Sequence, residues 1–174
     1  MTDYFRTHRK VIIPCGIIAG LILGIVARLW MRWISTDLEF TWTGTISIVL
    51  VFVIFGAIHS IVFFARVGHW PRRKLNLLRF VAIFFTLPLF GAAGAQMFPT
   101  VLAGSLASWR SDWWMWVRVL LGICSAVIPT IIIRGIGDDF GWEIATFGRV
   151  LLFIAVYSVV IVATRSAVAP IAKI

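Results

Sequence analysis

Acidic residues are scarce in this chain: seven Asp and Glu stand against sixteen Lys and Arg in 174 residues, a formal charge of +9. That scarcity leaves no internal relay of several carboxylates, which argues against a self-sufficient proton pump. Cysteine is as sparse. Cys15 and Cys124 fall in separate apolar runs at different depths, without C-x-x-C spacing, so neither a disulfide framework nor a cysteine metal site is available. Both cysteines are expected as buried apolar filler. "VIIPC" also lacks the small residues that precede a lipidated cysteine. The three histidines, His8, His59 and His69, are dispersed, and H-E-x-x-H, P-loop and G-x-S-x-G motifs are all missing. The sequence therefore offers no catalytic residue, no metal site and no cofactor, and reads as a non-enzyme.

What is abundant is apolar. The chain is 61% hydrophobic and 13% charged, against about 45–50% and about 25% in soluble domains, and its mean hydropathy is +1.00. This is the composition of an integral membrane protein. A pI near 11.1 would point to nucleic acid in a soluble chain. Here the basic residues lie between apolar runs rather than in a patch with reading elements, so nucleic acid is excluded as a partner. Membrane orientation and anionic lipid head groups account for the charge instead.

Hydropathy predicts an all-α polytopic membrane bundle, one domain over 1–174, with five transmembrane helices at about 11–34, 43–65, 77–98, 113–133 and 144–163. The opening "MTDYFRTHRK" and its apolar run have the outline of a secretory signal, but the run is long and no small-x-small site follows, so a retained helix is expected. In the third span Pro88 is expected to kink the helix, "GAAGA" from Gly91 to Ala95 to allow close approach, and Pro99 to end it. The glycines and aspartates of "RGIGDDFGWE" are expected to break the chain before the fifth span. Arg6, Arg9, Lys10, Arg66, Arg72, Arg73, Lys74, Arg79 and Arg134 then share the N-terminal side, against Arg28, Arg32, Arg110, Arg165 and Lys173 opposite. The asymmetry predicts a multi-pass protein of the cell membrane with its N-terminus inside and its C-terminus outside.

Candidate sites concentrate in the first hairpin. Gly16, Gly20 and Gly24 form one bare stripe, a helix-packing face that Arg28 and Arg32 continue. The stripe can meet the second span, the "GAAGA" face, a second copy in a homo-oligomer or another membrane protein. "STDLE" supplies a capping box from Thr36 to Glu39 that starts the next helix. Arg28, Arg32, Arg110 and Arg118, with Asp37, Glu39 and Asp112, make an outer interfacial set. It is either an anion or lipid-head-group site or a set of helix-dipole fastenings. His59 and Arg149 are expected at similar depth in the inner half of the bilayer, each about 10 Å inside its interface. Intramembrane ionisable groups often line pathways, although packing and snorkelling are the plainer roles.

The run "ARLWMRWISTDLEFTWTGTISIV", Ala27 to Val49, resembles small bacterial integral membrane proteins that carry "ARxWMRxIS" followed by "FTWxGT". The resemblance implies a bacterial membrane protein whose signature is this hairpin, and it carries over no activity and no functional residue. The first functional expectation is an interaction or accessory membrane subunit, embedded in the lipid bilayer beside a protein partner. The alternative is a small oligomeric transporter or channel for an ion or small anionic solute, using His59 and Arg149 or the arginines Arg28, Arg32 and Arg118.

Overall fold

The computed structural model describes residues 9–35, 41–90 and 97–170, and every regular element in them is helical. In a bilayer an apolar run has no water for its backbone polar groups, which close on themselves as helix. The order is α1 (Arg9–Trp33), α2 (Trp42–Val67), α3 (Arg72–Phe84), a 3-10 turn (Pro88–Phe90), α4 (Met97–Trp109), α5 (Met115–Phe140), α6 (Ile144–Ala163) and the single turn α7 (Arg165–Val168).

Among the described residues four stretches are long and apolar enough to cross a membrane: Val11–Trp33, Trp42–Val67, Met115–Phe140 and Ile144–Val168. The expected third span, 77–98, is not one helix. It is divided between α3, the turn at Pro88 and the start of α4, while the "GAAGA" cluster lies outside the described residues, as does the Thr36–Glu39 capping box. Pro99 sits in the first turn of α4 instead of ending a helix, because a missing N–H costs nothing where the N–H has no intrahelical partner. With 13 residues each, α3 and α4 are about 20 Å long, short of a hydrocarbon core about 30 Å thick. α3 begins beside the end of α2, and α4 ends where Trp109 Nε1 donates to the Ile161 carbonyl at 3.1 Å. The pair enters and leaves at the same end of the bundle.

That return reverses the direction of all that follows. The first turns of α1, the end of α2 and the last described residues, Ala169 and Pro170, border a single crevice. The described start and tail thus lie at one end, in place of the expected opposite ends. This basic end collects Arg66, Arg72, Arg73, Lys74, Arg79, Arg110, Arg118 and Arg165, together with Trp70, Trp109, Trp113, Trp114 and Trp116. The far end holds Arg28, Arg32, Arg134, Arg149, Asp138 and Asp139, with Trp33, Trp42 and Trp142. The "RGIGDDF" stretch, expected to break the chain, continues α5 to Phe140. The reversal falls at Gly141, whose φ of +67° is the left-handed value that a side chain resists.

The glycine stripe of α1 is covered by α2. A Cβ on Gly16 would lie 2.7 Å from the Gly56 carbonyl oxygen and overlap Ser60; one on Gly20 would overlap the Phe52 carbonyl; one on Gly24 would come within 3.1 Å of Val49 Cα. Gly56 returns the contact against Gly16 and Gly20. Two backbones approach this closely only where at least one has no side chain at the contact, and dispersion then replaces the hydrophobic drive that lipid removes. Cys15 and Cys124, expected as buried filler, are both exposed. Cys15 precedes Gly16 and so points off the packed stripe, and Cys124 shares its face of α5 with exposed Leu120 and Val127.

The main core gathers Trp30, Phe52, Phe55, Leu89, Met97, Phe153 and Val160, and a smaller cluster joins Val62, Ala65, Leu75, Ala82 and Ala167. Pro129 inside α5 removes the N–H that would bond the Ser125 carbonyl. Tyr157 of α6 donates its hydroxyl to that carbonyl at 2.9 Å, turning a helix defect into an interhelical bond.

Two outcomes test this architecture. Gly20→Leu should destabilise the protein in detergent by about 1–3 kcal/mol through overpacking, whereas Gly122→Leu, at a glycine with open space around it, should leave thermal unfolding unchanged. In a variant with Cys15 and Cys124 replaced, single cysteines at Gly68 and Ser111 should label from one side of sealed vesicles and those at Ser35 and Gly141 from the other. Labelling of Gly68 and Ser111 from opposite sides would restore a fifth crossing.

Candidate functional site

Between α1, α2 and α6, at the basic end, lies an open crevice of about 810 Å³. α1 supplies its apolar wall with Ile12, Gly16, Ala19 and Leu23, α6 adds Val159 and Val162, and α2 contributes Phe55, His59, Ser60, Phe63 and Arg66. Ser108, Trp109 and Ser111 from the α4 end and Arg165 and Ser166 from the tail surround the mouth. Its lining contains no Asp or Glu. The crevice is rich in donors and carries uncompensated positive charge.

His59 is 5% exposed and lies against the Phe55 ring, with ring centroids 4.3 Å apart. Its Nδ1 is 3.1 Å from Ser166 Oγ, and its Nε2 has no partner. When the Ser166 hydroxyl donates to Nδ1, the ring proton resides on Nε2, which becomes an unmet donor in the crevice wall. A buried donor without an acceptor costs about 1–3 kcal/mol, a cost that a ligand oxygen would relieve.

The tail that carries Ser166 is held by two arginines. Arg66 Nη1 donates to the carbonyls of Ser166 at 2.9 Å and Ala169 at 3.0 Å, and Nη2 to that of Pro170 at 2.9 Å. Arg79, from α3, donates to the carbonyls of Ala167 and Ala169. Carbonyls exposed at the end of a helix accept cations well. They supply no net negative charge, however, and Arg165 stands near enough to Arg66 for the two charges to repel.

A second crevice, of about 490 Å³, lies at the far end, lined by Ala27, Arg28, Trp30 and Ile34 of α1, Ile48 and Phe52 of α2, Phe153, Val156, Tyr157 and Val160 of α6, and by Leu89, Met97 and Ile132 from the 3-10 turn, α4 and α5. Along each helix the two linings approach closely: Leu23 and Ala27 on α1, Phe55 and Phe52 on α2, Val159 and Val160 on α6. No more than about one helical turn, or about 5.4 Å, separates them. Phe52, Phe55 and Val160, each at most 3% exposed, lie at this level.

The structure distributes the residues singled out from sequence. His59 lines the basic-end crevice and Arg28 the far one. Arg149 does not share the depth of His59: it lies at the far end, its Nε donating to the Trp33 carbonyl at 3.1 Å and its guanidinium 4.0 Å from the Phe140 ring centroid. The supposed outer set is likewise split. Arg28 donates to Thr45 Oγ1 at 3.0 Å at the far end, while Arg118 donates to the Ala107 carbonyl at 2.9 Å and Arg110 pairs with Asp112 at 2.7 Å at the basic end. Arg32 is exposed on the last turn of α1, and Asp37 and Glu39 fall outside the described residues. The reversed direction after α4 accounts for these separations. Arg66 and Arg165, counted in the sequence only for membrane orientation and expected on opposite sides, and Ser166, unremarked there, join His59, because only the fold brings residues a hundred positions apart together. Among the described residues no cluster of His, Cys, Asp and Glu could hold a metal ion.

Comparison with known protein families, with curated proteins and with solved structures returns no match for this chain.

The clamp predicts a local effect. Arg66→Met removes three charge-assisted bonds, each worth about 1.5–3 kcal/mol. Amide exchange at Ala167, Val168 and Ala169, whose N–H groups bond back to Thr164 and Arg165, should accelerate at least about a hundredfold, with α1 and α2 unchanged. Unaltered exchange there would show that the tail stands without the arginine.

Proposed function

We propose that this chain forms a passage for a small anionic solute through the cytoplasmic membrane, running between α1, α2 and α6. One observation carries the reading: two crevices with walls on α1, α2 and α6 open toward opposite ends, and their linings come within about one helical turn of each other at the level of Phe52, Phe55 and Val160. Apolar constrictions of this kind gate by excluding water. The sign of the solute follows from the lining, with Arg66 and Arg165 at one mouth, Arg28 at the other and no carboxylate in either. The short α3–α4 pair supports the same reading, since helices that stop within the membrane are tolerated where they are buried in protein or border a cavity.

Orientation follows from charge. The basic end faces the cytoplasm, and the first and last described residues lie on that side, which makes the bias in Lys and Arg stronger than an odd number of spans would. A second reading, an accessory subunit, rests on α5. That helix presents Met115, Trp116, Val119, Leu120, Ile123 and Val127 as one exposed apolar face, suited to a partner helix as well as to lipid.

The test is anion flux. Purified protein in phosphatidylcholine vesicles holding a halide-quenched dye should admit iodide faster than protein-free vesicles. Phe55→Ala should raise the rate severalfold by opening the barrier, and Phe55→Leu should stay near the parent. Rates equal to empty vesicles for all three proteins would remove the passage and leave the accessory reading.

A further inference from the structure

We infer that the basic-end crevice seats an anionic membrane lipid, its headgroup oxyanion between Arg66 and Arg165 and an acyl chain along the α1 and α6 walls. The inference rests on the reading of that crevice as a ligand site, and it names what enters there. It does not require that anything be conducted.

The crevice is layered as a lipid is. Charge and hydroxyls sit at the mouth, in Arg66, Arg165, Ser108 and Ser111, and the wall deeper in the membrane is apolar. Arg165 is held over the Trp109 ring at 4.7 Å, and a guanidinium bound through its face keeps its in-plane donors for a second partner. Arg66 spends donors on neutral carbonyls, so its charge stays uncompensated. One oxyanion would offset the two like charges that share this lining.

The apolar wall distinguishes a lipid from a free anion. The His59 ring and the Arg66 guanidinium both reach Ser166, the ring at its Oγ at 3.1 Å and the guanidinium at its carbonyl at 2.9 Å, so the imidazole stands just inside the arginine. Its Nε2 is buried without a partner. In a glycerolipid whose phosphate sits between the arginines, the ester carbonyls lie below the headgroup and supply an acceptor at that side of the crevice. Free phosphate would satisfy the arginines and leave the apolar wall empty. The volume of about 810 Å³ is within the range of about 300–1,000 Å³ typical of small-ligand sites.

The experiment is equilibrium binding to the full-length protein in neutral-detergent micelles, with tail-labelled phosphatidylglycerol and phosphatidylcholine as probes. The anionic lipid should bind at least about tenfold more tightly, equivalent to about 1.4 kcal/mol. Arg165→Gln should lower that preference severalfold. Ser111→Asp, a change at an exposed mouth position, should do the same by repulsion, while Ser111→Asn should keep it. His59→Phe should weaken both lipids alike, because the ester is common to them. Equal binding of the two lipids overturns the inference, as does preference retained in both Arg165→Gln and Ser111→Asp. Displacement of the lipid by an equal concentration of inorganic phosphate would assign the site to a free oxyanion and also overturn it. Lipid preference without iodide flux removes the passage and leaves the lipid seat; flux without lipid preference does the reverse.

Discussion

A guanidinium placed in an apolar bundle must find acceptors, and this chain, short of acids, supplies carbonyls. Arg66 and Arg79 hold the carbonyls of the tail, Arg118 that of Ala107 and Arg149 that of Trp33. Most of these carbonyls lie at or near helix ends, where the intrahelical ladder leaves them open. Each arginine therefore ties one helix to another and keeps its full charge. Had carboxylates met these arginines, the same contacts would have produced neutral joints and a crevice mouth without net positive charge.

The α1–α2 hairpin is the rigid partner in this arrangement. Its glycines let two backbones touch, so the lateral position of α2 is fixed by contact with Gly16 and Gly20. Fixing α2 places His59 and Arg66 at set heights. At the far end Trp30 donates to the Arg149 carbonyl at 2.8 Å and stacks on Phe153, which pins α6 to α1 there. Toward the basic end the same two helices stand apart, with the crevice between them. Contact at one end and separation at the other is the geometry that makes a wedge-shaped cavity from three plain helices.

The α3–α4 pair determines the rest. The pair returns the chain to the basic end, which brings the tail beside Arg66 and Arg79 and completes the crevice with Ser166 and Arg165. A fifth full crossing would have carried the tail to the far end and left His59 facing lipid. The backbone bond missing at Pro129 is used in the same economical way, since the freed Ser125 carbonyl receives Tyr157 and locks α5 to α6 beside the far crevice.

By itself the sequence determined the class of molecule and much of its frame. Apolar runs fix helices because backbone polar groups in lipid have no other partner, and the runs ending at Trp33, starting at Trp42 and spanning Ile144–Ala163 were legible to within a residue or two. The glycine stripe showed that a backbone must approach α1, since spacing of four sets one helical face. Which backbone it was, only packing decided. Hydropathy averages over a window, so it could not separate one 22-residue span from two short helices meeting near Pro88, nor see that Gly141 rather than Gly135 or Gly137 takes the left-handed angle. The return of the chain through α3 and α4 set the direction of every later helix. It moved Arg149 and Arg118 to opposite ends from those expected, and it brought Ser166 to His59 across 107 residues. The chemistry of the site is a consequence of where the chain turns back, which side chains on a linear sequence do not record.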